Sequence, residues 1–329
     1  MVKQHTLHTG QKIPCIGMGT FGSDRFSPKQ VSDAVAGSIR CGYRLFDCAS
    51  VYGNEHLIGE VFEEAFNASV VKRDDLFIMS KVWNDMHGPG DVLKAIKKTL
   101  ADLKLDYVDA YFVHWPFPNY HAPGCDGDSR NPDSKPFTAE QFMATWKQME
   151  EVVDLGLAKS IGMSNMTIPK LEAVLPLCRI KPSTIELELH PSFQQPELYD
   201  YCIEKGIHPI GFCPIGSPTR PERDISEGDI VDTEMPELMK IAKNHNVHPA
   251  IICIKWGVQR GHVVIPFSVH ESEYLSNILC TTEDPLTDEE MAVLESIDKN
   301  CRLVKGQVFL WEGAKGWEDL WDLDGTITK

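Results

Sequence analysis

Residues 76–115 read LFIMSKVWNDMHGPGDVLKAIKKTLADLKLDYVDAYFVHW. Two short, near-continuous apolar runs, Leu76–Val82 and Tyr107–Trp115, flank a longer stretch with a different period. From Gly90 to Leu103 the apolar residues fall at Val92, Leu93, Ile96, Leu100 and Leu103, the stripe of an amphipathic helix. Runs that are apolar at consecutive positions suit parallel strands covered on both faces. The stretch is a strand–helix–strand unit, and its rhythm recurs along the chain. Further strands are expected at Ile13–Gly19, Arg44–Ala49, Ser160–Ser164, Ser183–His190, His208–Pro214 and His262–Pro266. Ser27-Pro28, an N-cap followed by Pro at the first helical position, opens a helix to about Cys41. Thr138–Leu155 is another, with Thr138 and Gln141 spaced as a capping box and Gly156 placed as a C-cap. Pro236–Asn246 and Pro249–Gln259 complete the expected helices.

Strands that alternate with helices eight times predict an α/β fold, a (β/α)₈ barrel rather than an open sheet. No linker or break in composition divides residues 1–329, so they read as a single barrel domain. The turn Thr9–Lys12 predicts a small hairpin before the barrel. Three stretches are too long for turns: about Pro116–Phe137, about Gly216–Glu234, and the tail from about Arg302. Long loops at the C-terminal face of a barrel are where binding sites and lids are built.

Lys plus Arg number 32 and Asp plus Glu 48, a net charge of −16. That balance argues against nucleic-acid partners and anionic membrane surfaces. No apolar run approaches the roughly 20 residues of a membrane helix, and Met-Val-Lys-Gln-His-Thr lacks the apolar core of a signal peptide. The 10 cysteines form no Cys-x-x-Cys pair and mostly sit in apolar runs, as free thiols of a cytoplasmic protein do. No Cys/His cluster suggests a metal. Asn67-Ala-Ser69 and Asn165-Met-Thr167 match the glycosylation pattern, which carries no weight without secretion.

Chemistry in a barrel belongs at the C-terminal strand ends. Here those ends are Thr20, Asp47, Lys81, His114, Ser164-Asn165, Glu186/His190, Phe212 and Phe267-Ser268. Asp47 follows Arg-Leu-Phe and Lys81 follows Phe-Ile-Met-Ser, apolar settings that a lone charge would not tolerate. A buried Asp47–Lys81 pair resolves both. It either ties two strands together and nothing more, or it serves Tyr52 close behind. A cation beside a phenol lowers its pKa toward working pH and makes it a general acid for a carbonyl oxygen. His114 is either a satisfied core histidine or the group that orients that carbonyl. Gly17-Met-Gly19-Thr-Phe-Gly22 matches the dinucleotide fingerprint, but Ser-Asp-Arg-Phe separates it from the helix start at Ser27. Turn glycines, with Phe21 facing a pocket, are the preferred reading.

At this point the chain resembles the aldo-keto reductases over nearly its whole length. The motifs that carry the resemblance are Gly42-Tyr-Arg-Leu-Phe-Asp-Cys-Ala, Tyr52-Gly-Asn-Glu, Ser80-Lys81-Val-Trp, Lys98-Thr-Leu-Ala-Asp-Leu, His114-Trp-Pro, Gly162-Met-Ser-Asn, His190-Pro191, Gly216-Ser-Pro and Val264-Ile-Pro. The resemblance implies a catalytic tetrad of Asp47, Tyr52, Lys81 and His114, and a nicotinamide dinucleotide bound without a Rossmann domain. It assigns Ser164 and Asn165 to the nicotinamide carboxamide, and counts Thr20, Pro214, Ser217, Ser268 and Asn277 with the cofactor residues. A substrate pocket is implied around Phe21, Trp83, Trp115 and the tail residue Trp311.

The departures are informative. The third carboxamide partner is usually Gln, and here it is Glu186. The ring-stacking aromatic is Phe212 in place of the usual Tyr, and Phe21 stands where many members have Trp. Members that take NADP meet its 2′-phosphate after strand eight with a Lys following Ile-Pro and an Arg several residues on. Those positions are Phe267 and Glu273. The expectation is NAD(H), with Glu273 on the ribose hydroxyls; NADP remains the alternative if another Lys or Arg takes the phosphate. The expected activity is reversible hydride transfer with a small polar aldehyde, ketone, aldose or polyol. In the tail, Phe309, Trp311, Trp317 and Trp321 interleave with Glu312, Glu318, Asp319, Asp322 and Asp324. This is either a substrate lid whose acids accept from hydroxyls, or an acidic helix with its rings packed on the barrel. Three competing functions stay open here: a cofactor-binding regulatory subunit, a Rossmann dehydrogenase using the first glycine loop, and a metal-dependent barrel hydrolase.

Overall fold

A computed structural model describes residues 2–122, 125 and 129–328. The chain opens with an antiparallel hairpin, β1 (Gln4–Thr6) and β2 (Lys12–Pro14), in register His5 opposite Ile13. Eight parallel strands follow in sequence order: β3 (Met18–Gly19), β4 (Leu45–Asp47), β5 (Phe77–Val82), β6 (Ala110–Val113), β7 (Ile161–Ser164), β8 (Thr184–Glu188), β9 (His208–Phe212) and β10 (Val263–Val264). The edges meet: Ile16 bridges Val264 in parallel, and the Gly17 and Gly19 amides donate to the Val264 and Pro266 carbonyls, both at 2.9 Å. The sheet is therefore a (β/α)₈ barrel.

The single strand expected over Ile13–Gly19 is two pieces. Cys15 makes the transfer between them: its amide donates to Lys3 of the hairpin, and its carbonyl accepts from Val264 of the barrel. Leu7 and Ile13 of the hairpin join Leu45, Phe77, Phe112 and Val263 in one buried cluster that stops the base of the barrel.

Ten α-helices occur among the described residues: α1 (Pro28–Cys41), α2 (Glu55–Asn67), α3 (Asp91–Leu103), α4 (Ala139–Asp154), α5 (Ile168–Val174), α6 (Pro196–Glu204), α7 (Pro236–His245), α8 (Pro249–Arg260), α9 (Glu271–Leu279) and α10 (Asp288–Ser296). Ser27 caps α1 and exchanges both capping-box bonds with Gln30. Thr138 caps α4 through the Gln141 amide, while the reverse bond of the expected box does not form. Gly156, just past α4, is left-handed at φ 72°, a conformation glycine reaches without Cβ strain. Helices α2, α5, α6, α9 and α10 were not expected from the sequence; α9 occupies what reads as the loop after the last strand. Among its described residues the tail contains only short 3-10 turns, at Gln307–Phe309 and Trp317–Leu320, and no α-helix. No described helix is long and apolar enough to cross a membrane.

Between strands and helices, Phe46, Phe62, Tyr111, Trp146, Ile185 and Leu187 belong to the main core. Inside the barrel, packing is tight enough to dictate a glycine. A Cβ on Gly162 of β7 would stand 2.3 Å from the Phe112 ring, which is itself fully buried. Gly162→Ala is expected to lower the unfolding free energy by about 1–3 kcal/mol, the usual range for overpacking, in a urea titration. An unchanged midpoint would mean the ring has room to move.

Candidate active site

Asp47 ends β4, Lys81 lies near the end of β5, His114 follows β6, and Tyr52 stands on the 3-10 turn Ser50–Tyr52 just beyond β4. Parallel strands in register bring these ends to one rim. Lys81 Nζ donates to Asp47 Oδ1 and, at 3.1 Å, to the Cys48 carbonyl. It stands 5.4 Å from the centre of the Tyr52 ring. Tyr52 meets His114 edge-on at 5.8 Å and Phe21 at 5.2 Å; Trp83 meets His114 edge-on at 5.0 Å. Lys81 and Asp47 are buried, whereas Tyr52, His114, Phe21 and Trp83 are half-buried and reach the surface of the rim. Thr20 Oγ1 donates to the Asp47 carbonyl at 2.7 Å, and Asn54 Nδ2 to the Thr20 carbonyl at 2.8 Å. Thr20, grouped with the cofactor residues on sequence grounds, thus also fastens the strand end that carries Asp47.

Burial disfavours the charged form of Lys81, but Asp47 and Glu186 outweigh it and hold the ammonium well above its ordinary value. Burial pushes the Tyr52 phenol up, and Lys81 pulls it back only in part. The expectation of a phenol drawn down toward neutral pH is therefore not met. Tyr52 is protonated at neutral pH, the form a general acid needs. Burial first, then the charge of Lys81, holds His114 well below its ordinary value, so its imidazole is neutral.

Beside this group lie the three positions that the sequence assigns to a carboxamide. Ser164 pairs with Glu186 across β7 and β8, and Asn165 follows with a left-handed backbone at φ 57°. Asn165 Nδ2 donates to the His114 carbonyl at 2.9 Å. Ser164 Oγ, Asn165 Oδ1 and Glu186 Oε1 are all buried without a hydrogen-bond partner. Each such orphan costs about 1–3 kcal/mol, so three on adjacent strand ends fit a polar ligand group that can both donate and accept, as a primary amide does. Phe212, half-buried, ends β9 opposite Glu188 of β8.

The flank continues past β9 and β10. Pro214 is buried; Ser217, at φ 36°, accepts from Arg220 through its carbonyl. Phe267 packs on Phe26 at 5.8 Å. Ser268 Oγ donates to Glu273 Oε2 at 2.6 Å and accepts from the His270 amide at 2.9 Å. Asn277 is buried in α9.

The substrate-side residues divide. Trp83 borders His114, but Trp115 is buried against Phe309 at 4.6 Å and Trp321 at 5.7 Å and supports the tail from beneath. Trp311 borders a separate shallow cleft with Phe117, Lys170, Leu320 and Asp322. The tail is therefore a strap whose rings pack on the barrel. Its Asp322 is buried on Lys170 Nζ at 2.5 Å and on the Thr167 hydroxyl, while Glu312 and Glu318 face solvent. Part of the loop Pro116–Phe137 lies outside the described residues.

One buried cluster escaped the sequence reading. His190 Nδ1 meets Asp232 Oδ2 at 2.9 Å and Nε2 meets Glu188 Oε1 at 3.0 Å, with all three side chains fully buried. Ser192 donates to Asp232, and Glu188 accepts the Leu303 and Val304 amides at 2.7 and 2.9 Å. The cluster fastens the loop after β9 and the tail to the end of β8. Its sequence signal is the alternation Glu186-Leu-Glu188-Leu-His190, which places three polar residues on one face of a strand.

With this geometry in hand, comparison with known proteins is decisive. The profile of the aldo/keto reductase family matches residues 15–299. The chain belongs to the aldo/keto reductase family. It is 38% identical over 316 residues to aldo-keto reductase family 1 member A1-A of Danio rerio, covering 95% of both chains. It is 41% identical over 302 residues to aldo-keto reductase family 1 member A1 of Gallus gallus, covering 91% of this chain and 89% of the relative. An aldo/keto reductase of Synechocystis is 38% identical over 322 residues, covering 98% and 97%. Membership makes the chain a nicotinamide-dependent oxidoreductase acting on carbonyl compounds, and it lends no support to the alternative of a non-catalytic subunit.

Burial pulls the His190 imidazole down, but the hydrogen bonds it donates to Asp232 and Glu188 raise it to about 9. A histidine raised by folding adds stability that is complete below its ordinary value of 6.5 and is lost as pH climbs through about 9. Asp232→Asn is expected to flatten this loss in thermal unfolding measured across that range. An unaltered pH dependence would show that His190 is neutral in the folded protein.

Proposed function

We propose that the chain is an NAD(H)-preferring reductase of small polar carbonyl compounds, acting reversibly, with Tyr52 as the proton donor. The observation that carries this reading is the Lys81–Asp47 pair behind a half-buried phenol, set beside three unpartnered buried oxygens. When bound, a nicotinamide dinucleotide supplies the hydride for the carbonyl carbon. Ser164, Asn165 and Glu186 would hold its amide, and Phe212 its ring face. His114, neutral and edge-on to Tyr52, donates a hydrogen bond to the substrate oxygen and fixes it beside the phenol. Tyr52 gives that oxygen its proton, and the ammonium of Lys81 stabilises the phenolate left behind. Asp47 keeps Lys81 charged and in place.

Cofactor choice follows from α9. Glu273 stands at its first turn, bonded to Ser268, where a 2′-phosphate of nearly two negative charges would be repelled. The same carboxylate accepts from ribose hydroxyls, as in NAD sites generally. Support for a polar substrate comes from the rim near Trp83, where His121 stands 5.9 Å from its ring. The substrate would be an aldose, a sugar-derived aldehyde or a keto-polyol. Free thiols at all 10 cysteines suit a reducing cytoplasm.

Tyr52→Phe should cut turnover by roughly 10²–10⁴, the usual worth of a general acid, with little change in dinucleotide affinity. Near-normal turnover would remove Tyr52 from the mechanism. Steady-state kinetics should show higher kcat/KM with NADH than with NADPH, and Glu273→Arg should shift the preference toward NADPH. A wild-type preference for NADPH would refute the cofactor assignment.

A further inference from the structure

At the head of the barrel one ammonium faces two carboxyl groups. Lys81 Nζ is bonded to Asp47 and lies 3.4 Å from Glu186 Oε2, with side chains only 1, 6 and 3% exposed. The remaining titratable groups facing this trio are Tyr52, Cys48 and His114. Burial first holds the phenol and the thiol up and the imidazole down, so all three stay neutral near pH 7. On the neighbouring strands Glu186 pairs in register with Ser164 of β7 and Ile210 of β9, neither of which titrates near neutral pH. Glu188, the next residue on the same face of β8, is engaged by His190 and by two backbone amides.

Two carboxylates on one ammonium in a dry site leave an uncompensated negative charge, and such a pair holds one proton between its members. Asp47 has the short bond to Lys81. Glu186 carries the proton, and burial, followed by the charge of Asp47, raises its carboxyl to about 8. A neutral carboxylic acid copies the amide of the Gln usual at this position, with one oxygen that donates and one that accepts. The accepting oxygen is Glu186 Oε1, buried and unpartnered.

We propose that Glu186 is a positioning residue that senses the charge of the nicotinamide ring: neutral, it holds the uncharged reduced ring, and ionised, it favours the cationic oxidised ring. This rests on the nicotinamide site proposed above. The protein's preference for NAD⁺ over NADH therefore rises with pH, through a residue that also borders the catalytic lysine. A Gln at this position, being permanently neutral, has no such response.

The test is equilibrium binding of NAD⁺ and NADH to the whole protein, followed by quenching of tryptophan fluorescence, from about pH 6.5 to about pH 9.5, on either side of the Glu186 transition. Taking the ratio of the two Kd values cancels every group that acts equally on both forms. A Tyr52→Phe background removes the phenol, which also borders the ring. The ratio Kd(NADH)/Kd(NAD⁺) should rise by about tenfold or more over this range, the scale of one unit charge acting across a partly screened site. It should be flat in Glu186→Gln in the same background. A flat ratio with Glu186 present, or an equal rise with Gln in its place, overturns the proposal and leaves the nicotinamide site standing. Failure to bind either dinucleotide overturns both.

Discussion

Lys81 is a cation in a place where water is nearly absent, and the head of the barrel is arranged around that fact. An isolated ammonium there would cost several kcal/mol, so it must lie against an anion. Asp47 is that anion because parallel strands in register put the end of β4 beside that of β5. Thr20 and Asn54 then hold the Asp47 strand end to its neighbour. The pair gives two adjacent functional positions their electrostatics. On one side the ammonium is close enough to Tyr52 to stabilise a phenolate; on the other it is 3.4 Å from Glu186, which borders the orphaned oxygens.

A second set of buried charges governs what lies above the rim. Glu188, His190 and Asp232 join the end of β8 to the loop after β9 and to the tail, and Lys170 with Asp322 pins the tail to α5. Around these fixed points Trp115, Phe309 and Trp321 pack together, and Arg302 stands 3.4 Å above the Trp321 ring. Buried ion pairs add little net stability compared with apolar substitutes, but losing one partner is costly. Their role here is placement: they hold irregular backbone over a site where no helix or strand could supply the rigidity.

Three of the chain's departures from the family pattern change charge. Phe267 and Glu273 stand where cations would be, and Glu186 brings an ionisable group to a position usually neutral. Phe267 brings no charge and Glu273 a negative one, in keeping with an overall charge of −16. They leave Asp47, Tyr52, Lys81 and His114 untouched.

The barrel, and the charged strand-end residues that meet at its rim, were legible in the sequence. Strand periodicity is local, and a charged residue at the end of an apolar run, such as Lys81 after Phe77-Ile-Met-Ser, must be paired wherever the chain goes. Helices α1, α3, α4, α7 and α8 announced themselves through caps, prolines and apolar stripes. What needed three dimensions was every property set by sums over distant neighbours. Ile13–Gly19 is one apolar run in sequence, yet Cys15 divides it between a hairpin and the barrel because its amide pairs with Lys3 and its carbonyl with Val264. Trp115 and Trp311 carry the same side chain as Trp83, but the tail covers one and draws the other to a separate cleft. The protonation of Tyr52 and Glu186 turned on burial, which outweighs the pull of Lys81, and burial is a property of the closed barrel alone. The sequence by itself determined which groups must meet; the tertiary structure decided how dry their meeting place is, and hence which of them hold protons.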